Sequence, residues 1–90
     1  MSNYNINAVT SSGSTAQKIL TDKVRVASTT NIFITSGSNS NVSASSSDPI
    51  VLAGAVERSF YVGANNYISV KAVSSNGVCS ITELGTDGVL

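Results

Sequence analysis

Two β-rich runs decide the fold: Tyr67-Ile68-Ser69-Val70-Lys71-Ala72-Val73, and Val78-Cys79-Ser80-Ile81-Thr82-Glu83-Leu84 after Asn76-Gly77. Both runs alternate with the period of two that a strand imposes, because successive side chains of an extended backbone point to opposite sides. Ile68, Val70 and Ala72 fall on one side of the first run, Cys79 and Ile81 on one side of the second. Ser69, Lys71, Ser80 and Thr82 are left for solvent or a partner. Asn-Gly supplies the positive φ angles of a type I′ turn, so the two runs are expected to form a hairpin.

The same reading extends outward along the chain. Arg58-Ser59-Phe60-Tyr61-Val62 is a further strand, with Phe60 and Val62 on the core side and Ser59 and Tyr61 outside. Val24-Arg25-Val26-Ala27-Ser28 and Asn31-Ile32-Phe33-Ile34-Thr35 are two more. Asn5-Ile6-Asn7-Ala8-Val9 alternates as a half-buried strand or an extended arm would, and Lys18-Ile19-Leu20 starts a short strand. Pro49 breaks the serine-rich stretch and admits a short strand at Ile50-Val51-Leu52. Between Ser36 and Ser47, Val42 and Ala44 allow either a short edge strand or a long mobile loop.

No segment carries a convincing 3.6-residue period, and Gly, Ser and Asn punctuate the chain at intervals typical of sandwiches and barrels. The expected fold is all-β: a small antiparallel β-sandwich or jelly-roll-like barrel of six to eight short strands. One domain is expected, with 1–23 as an N-terminal arm or edge-strand segment, 24–85 as the sandwich core and 86–90 as a flexible tail.

Composition limits the chemistry. The 90 residues include no His and a single Cys, which removes Ser-His-Asp and Cys-His catalysis, an internal disulfide, and a His contribution to a structural zinc site. Cys79 shares the parity of Ile81 and reads as a small buried hydrophobe. Asp48, Glu57, Glu83 and Asp87 are placed by no motif that pairs carboxylates or builds a calcium loop, and read as solvated charges near strand ends. Gly54, Gly63 and Gly77 match no phosphate-cradling pattern and read as turn residues. No catalytic residue, metal or cofactor is expected, and the protein is read as a non-enzyme.

Five basic and five acidic residues give zero net charge, and Lys18, Lys23, Arg25, Arg58 and Lys71 form no stripe, so nucleic-acid binding is not expected. No apolar run reaches the roughly 20 residues of a membrane span. The opening Met1-Ser2-Asn3-Tyr4-Asn5 lacks the basic and apolar regions of a signal peptide, which leads to the expectation of a chain made in a cytosol. A core this small gains from neighbours, so an oligomer or lattice is a natural setting. Tyr4, Ile6 and Val9 on the N-terminal segment, with Tyr61 and Tyr67, are the candidate partner-binding residues.

Pro49-Ile50-Val51-Leu52-Ala53-Gly54, Glu57-Arg58-Ser59-Phe60-Tyr61-Val62, Asn66-Tyr67-Ile68-Ser69-Val70-Lys71-Ala72 and Gly77-Val78-Cys79-Ser80-Ile81-Thr82-Glu83-Leu84-Gly85 follow one another in an order that resembles small virion proteins of tailed bacteriophages. Those proteins end in a β-sandwich or jelly-roll-like domain. The resemblance covers less than half the chain and is carried by structural residues. It implies a capsid decoration (cement) or head and tail accessory protein on the virion surface, made in the host bacterial cytoplasm. Its partners would be a major capsid protein or other virion proteins, and it would form a homo-oligomer such as a trimer. The alternative, from a different class, is a carbohydrate- or host-receptor-binding module of a phage fibre that presents Asn65, Asn66 and Tyr67.

Overall fold

The computed structural model describes residues 3–54 and 58–85, with backbone alone at Arg58 and Gly85. The described residues form eight strands: β1 (Asn3–Ala8), β2 (Gln17–Lys18), β3 (Lys23–Ser28), β4 (Ile32–Gly37), β5 (Ile50–Val51), β6 (Arg58–Tyr61), β7 (Tyr67–Ala72) and β8 (Gly77–Gly85). They form two four-stranded sheets, in the orders β1-β8-β3-β6 and β2-β7-β4-β5, and every pairing is antiparallel. The expected all-β sandwich is the observed one, and the strand order is that of a jelly roll. The outer strand pairs with the outer, β1 with β8, and so inward through β2 with β7, β3 with β6 and β4 with β5. The chain is thus one long hairpin, bent over itself into two layers.

That topology corrects the expected hairpin at Asn76-Gly77. β7 lies in the second sheet and β8 in the first, so residues 73–76 cross between layers instead of joining paired strands. Neither Asn76 nor Gly77 has a positive φ; among the described residues that backbone occurs at Gly54, Gly63 and Asn65. Gly77 is required for a different reason. A Cβ there would lie 2.6 Å from Thr29 Oγ1 and 2.8 Å from Thr30 Cγ2, so the crossing brings β8 against the 29–31 connection more closely than any side chain allows.

Alternation places the core where the sequence suggests. Val24, Val26, Ile32, Ile68, Val70, Ala72, Cys79 and Ile81 are fully buried between the sheets, with Ala8, Ile19, Val51 and Val62. Phe60 packs against this cluster but is only half-buried, because β6 is the edge of its sheet. Its ring also lines a surface pocket of about 90 Å³ with Ile34, Val62 and Ile68.

Two polar residues depart from expectation. Ser69 points away from the core as its parity requires, yet it is fully buried. The 38–49 connection folds over the outside of the second sheet: Ala44 is buried, and its N–H donates to Ser69 Oγ at 2.9 Å. Ser69 Oγ donates in turn to the Ser14 carbonyl at 2.8 Å. Val42 and Ala44 therefore form no strand; the segment is held by its own short-range bonds and by Ser69. Glu83, read from sequence as a solvated charge, has only 3% of its surface exposed. Its parity follows Cys79 and Ile81 inward, and its Oε2 accepts hydrogen bonds from Leu20 N–H at 2.8 Å and Tyr4 O–H at 3.1 Å. Burial of a carboxylate requires such partners.

Candidate interaction surface

The five residues singled out for partner contact do not converge. Tyr4, Ile6 and Val9 belong to β1 and the residue that follows its end, at one edge of the first sheet; Tyr61 is on β6, the opposite edge of that sheet; Tyr67 is on β7 in the second sheet.

Each has a different environment. Tyr4 is half-buried and tied to Glu83, so its ring serves the fold. Ile6 packs against the core from the edge. Val9 is half-buried, and its carbonyl accepts from Ala72 N–H at 2.9 Å. Asn3 to Ala8 is paired with β8 along its whole length, from Asn3 opposite Thr82 to Ala8 opposite Gly77, so it is an edge strand of its own domain. Tyr67 is half-buried between Lys18 on one side and Gly37 on the other.

Tyr61 differs from all of these. It is 77% exposed, the most exposed of the large hydrophobic side chains among the described residues. Lys23 lies directly opposite it on β3, with Nζ 5.8 Å from the ring centroid, a distance at which an ammonium is attracted to an aromatic face. The outward positions of the same sheet carry Asn3, Asn5 and Asn7 on β1, Val78, Ser80 and Thr82 on β8, Arg25 and Ala27 on β3, and Ser59 beside Tyr61. Ser80 Oγ and Thr82 Oγ1 both donate to Asn3 Oδ1, at 2.9 and 2.8 Å. The result is a surface of hydroxyls and amides, fixed by the sheet beneath, with one ring standing at its margin.

The 62–66 turn is built differently. Asp22 accepts at its carbonyl from Val62 N–H (2.7 Å) and Gly63 N–H (3.2 Å), and at Oδ1 from Ala64 N–H (3.0 Å). Asn66 Nδ2 donates to the Val62 carbonyl at 2.6 Å, which commits that amide to the turn. Asn65 sits in the left-handed region at φ 66° and is exposed. Of the three residues named for a glycan-presenting loop, Asn65 is exposed, while Asn66 and Tyr67 are half-buried.

Cys79 is fully buried, and burial pushes its thiol up to about 12 by penalising the charged form. Its sulfur stays protonated at any physiological pH and is a poor nucleophile. Among the described residues no three of His, Cys, Asp and Glu stand close enough together to hold a metal. Asp48 accepts from Ser45 N–H at 2.7 Å in the 38–49 connection, while Glu57 and Asp87 lie outside the described residues. Sequence reasoning found Tyr61 through its parity opposite Phe60. Glu83, expected as a solvated charge near a strand end, is instead buried on the inward parity of Cys79 and Ile81.

No family model matches this chain, and comparison with curated proteins and with solved structures finds no match either.

Proposed function

We propose that this domain is a non-enzymatic structural module that docks on a larger protein assembly and stabilises it, using the outer surface of the first sheet with Tyr61 as its anchor. The exposure of Tyr61 carries the reading. An aromatic ring with a polar tip contributes a large contact area at low entropic cost, and such residues dominate interfaces when water is excluded from them. Lys23 and Ser59 stand beside the ring, and the hydroxyls and amides of β8 and β1 extend the polar part of a protein contact across the sheet.

The assembly is named by the resemblance to phage virion proteins: a capsid lattice, with the major capsid protein as the surface contacted and the domain acting as decoration or cement. Binding that occurs only in the assembled form favours that form by mass action. Jelly rolls host capsid proteins and lectins alike, so the fold agrees with this reading by analogy and does not select it.

Co-sedimentation with purified capsids tests the proposal. The chain should pellet with capsids, and Tyr61→Ala should weaken that association by about thirtyfold, the equivalent of a hot-spot loss of roughly 2 kcal/mol, with its thermal transition unchanged. A chain that stays in the supernatant yet binds a sugar tightly on a glycan array would overturn it in favour of the receptor-binding alternative.

A further inference from the structure

The four sheet edges are not alike. β2 and β5 are two residues long, and β5 follows Pro49; β6 has four residues and begins with the cationic Arg58. Short strands, prolines and charges are the usual protections of an edge against pairing with another chain. β1 has none of them: Asn3-Tyr4-Asn5-Ile6-Asn7-Ala8 runs six residues without a charge, a proline or a glycine, and its pairing with β8 shows no register shift.

Which groups this edge leaves open follows from β8. Val78 exchanges its main-chain bonds with Thr29, its carbonyl accepting from Thr29 N–H at 3.0 Å and its N–H donating to Thr29 Oγ1 at 2.9 Å. Main-chain groups alternate between the two neighbours of a central strand. Val78, Ser80 and Thr82 therefore bond toward β3, and Gly77, Cys79 and Ile81 toward β1, where they face Ala8, Ile6 and Tyr4. The N–H and C=O groups of Asn3, Asn5 and Asn7 point the other way. Among the described residues β8 is the one strand paired with β1, and outside the strand ladders none of these groups has a main-chain hydrogen-bond partner.

We propose that β1 is a homodimerisation edge at which a second copy of this chain adds its own β1, antiparallel, with Asn5 opposite Asn5 on the two-fold axis. This register makes the open groups meet one another. Asn5 pairs with Asn5 of the second copy, and Asn3 with Asn7 on either side, each a doubly hydrogen-bonded pair. It also aligns side chains of like kind. Asparagines face asparagines on the outer surface, and Tyr4 lies opposite Ile6 on the inner side, an aromatic and β-branched cross-strand pair. Shifting the register by one residue would set open main-chain groups against groups already spent on β8. With no charge on β1, two copies meet without repulsion.

Space is available on the inner side. A groove of about 340 Å³ runs beside the edge, between Asn5 to Asn7 of β1 and Ser14 to Gln17, the end of the 9–16 connection and the start of β2, and it is open to an incoming strand. Pairing would join the two first sheets into one of eight strands and leave Tyr61 at both outer margins. The inference does not depend on the proposed capsid contact.

Sedimentation of the full chain up to roughly millimolar concentration tests it. The wild type should dimerise. Asn5→Pro removes an outward N–H while sparing the bonds to β8, since proline is tolerated where an edge faces solvent; it should abolish the dimer. Asn5→Lys and Asn5→Glu should each be monomeric, because each sets like charges opposite one another, and an equimolar mixture of the two should recover a dimer. That rescue reads the Asn5 register directly and remains decisive if the proline variant fails to fold. A wild type that stays monomeric throughout, or charge variants that dimerise alone as well as mixed, would overturn the proposal.

Discussion

The 38–49 and 73–76 connections do opposite work in this molecule. The long one joins strands that pair, β4 with β5, while the short one joins β7 and β8, which lie in different sheets. They are also held differently. Within 38–49, Asn41 N–H reaches Asn39 Oδ1 at 2.8 Å and Ser45 N–H reaches Asp48 Oδ2 at 2.7 Å, both local bonds; the ties beyond the segment are Ala44 on Ser69 and the Pro49 carbonyl, which accepts from Ile34 N–H at 3.0 Å. The 73–76 crossing relies on distant ones: Val73 N–H to the Asn31 carbonyl at 2.9 Å, Thr30 Oγ1 to the Ser75 carbonyl at 2.7 Å, and Thr10 N–H to Asn76 Oδ1 at 3.0 Å. A short connection can thus depend on the whole fold, and a long one can be largely its own support.

Substitutions can break that contrast. Gly77→Ala places a methyl group against Thr29 and Thr30 and should cost about 3 kcal/mol, the upper part of the usual overpacking range, lowering Tm by roughly 10 °C or more. Ser69→Ala strands the buried Ala44 N–H and should cost about 2 kcal/mol by denaturant unfolding. Asp48→Ala removes a local bond on an accessible turn and should cost about 0.5–1 kcal/mol in the same measurement. An Asp48 variant as damaging as the Gly77 one would show that both connections answer to the global fold, and the contrast would fail.

The elements were legible because alternation acts over a few residues. Val24 with Val26, and Ile68 with Val70 and Ala72, report the buried side whatever lies next to them. Pairing was not legible, because alternation says which side is inside and not which strand stands alongside. Asn76-Gly77 between two alternating runs is the pattern of a hairpin; it is equally the pattern of a crossing between layers, where glycine serves close approach in place of a positive φ. Ser69 shows the same limit. Its outward parity was correct, but whether the outside of a sheet is wet depends on a segment some 25 residues earlier in the chain. Of the surface, Tyr61 was readable from its neighbour Phe60, whereas the tie between Tyr4 and Glu83 links residues 79 positions apart and leaves no local trace.

The position of β8 has a consequence for how the domain is born. It is the last of the eight described strands in chain order, yet it lies between β1 and β3, so the first sheet has no centre until it emerges. β1, the first of the eight, must wait for its partner until the six strands between them have been translated. During that interval both of its edges are bare, which exposes the nascent polypeptide to pairing with neighbours on the same message. Completion is governed by the slow closure of long-range contacts, and the arrival of β8 ends the wait by covering one of those two edges.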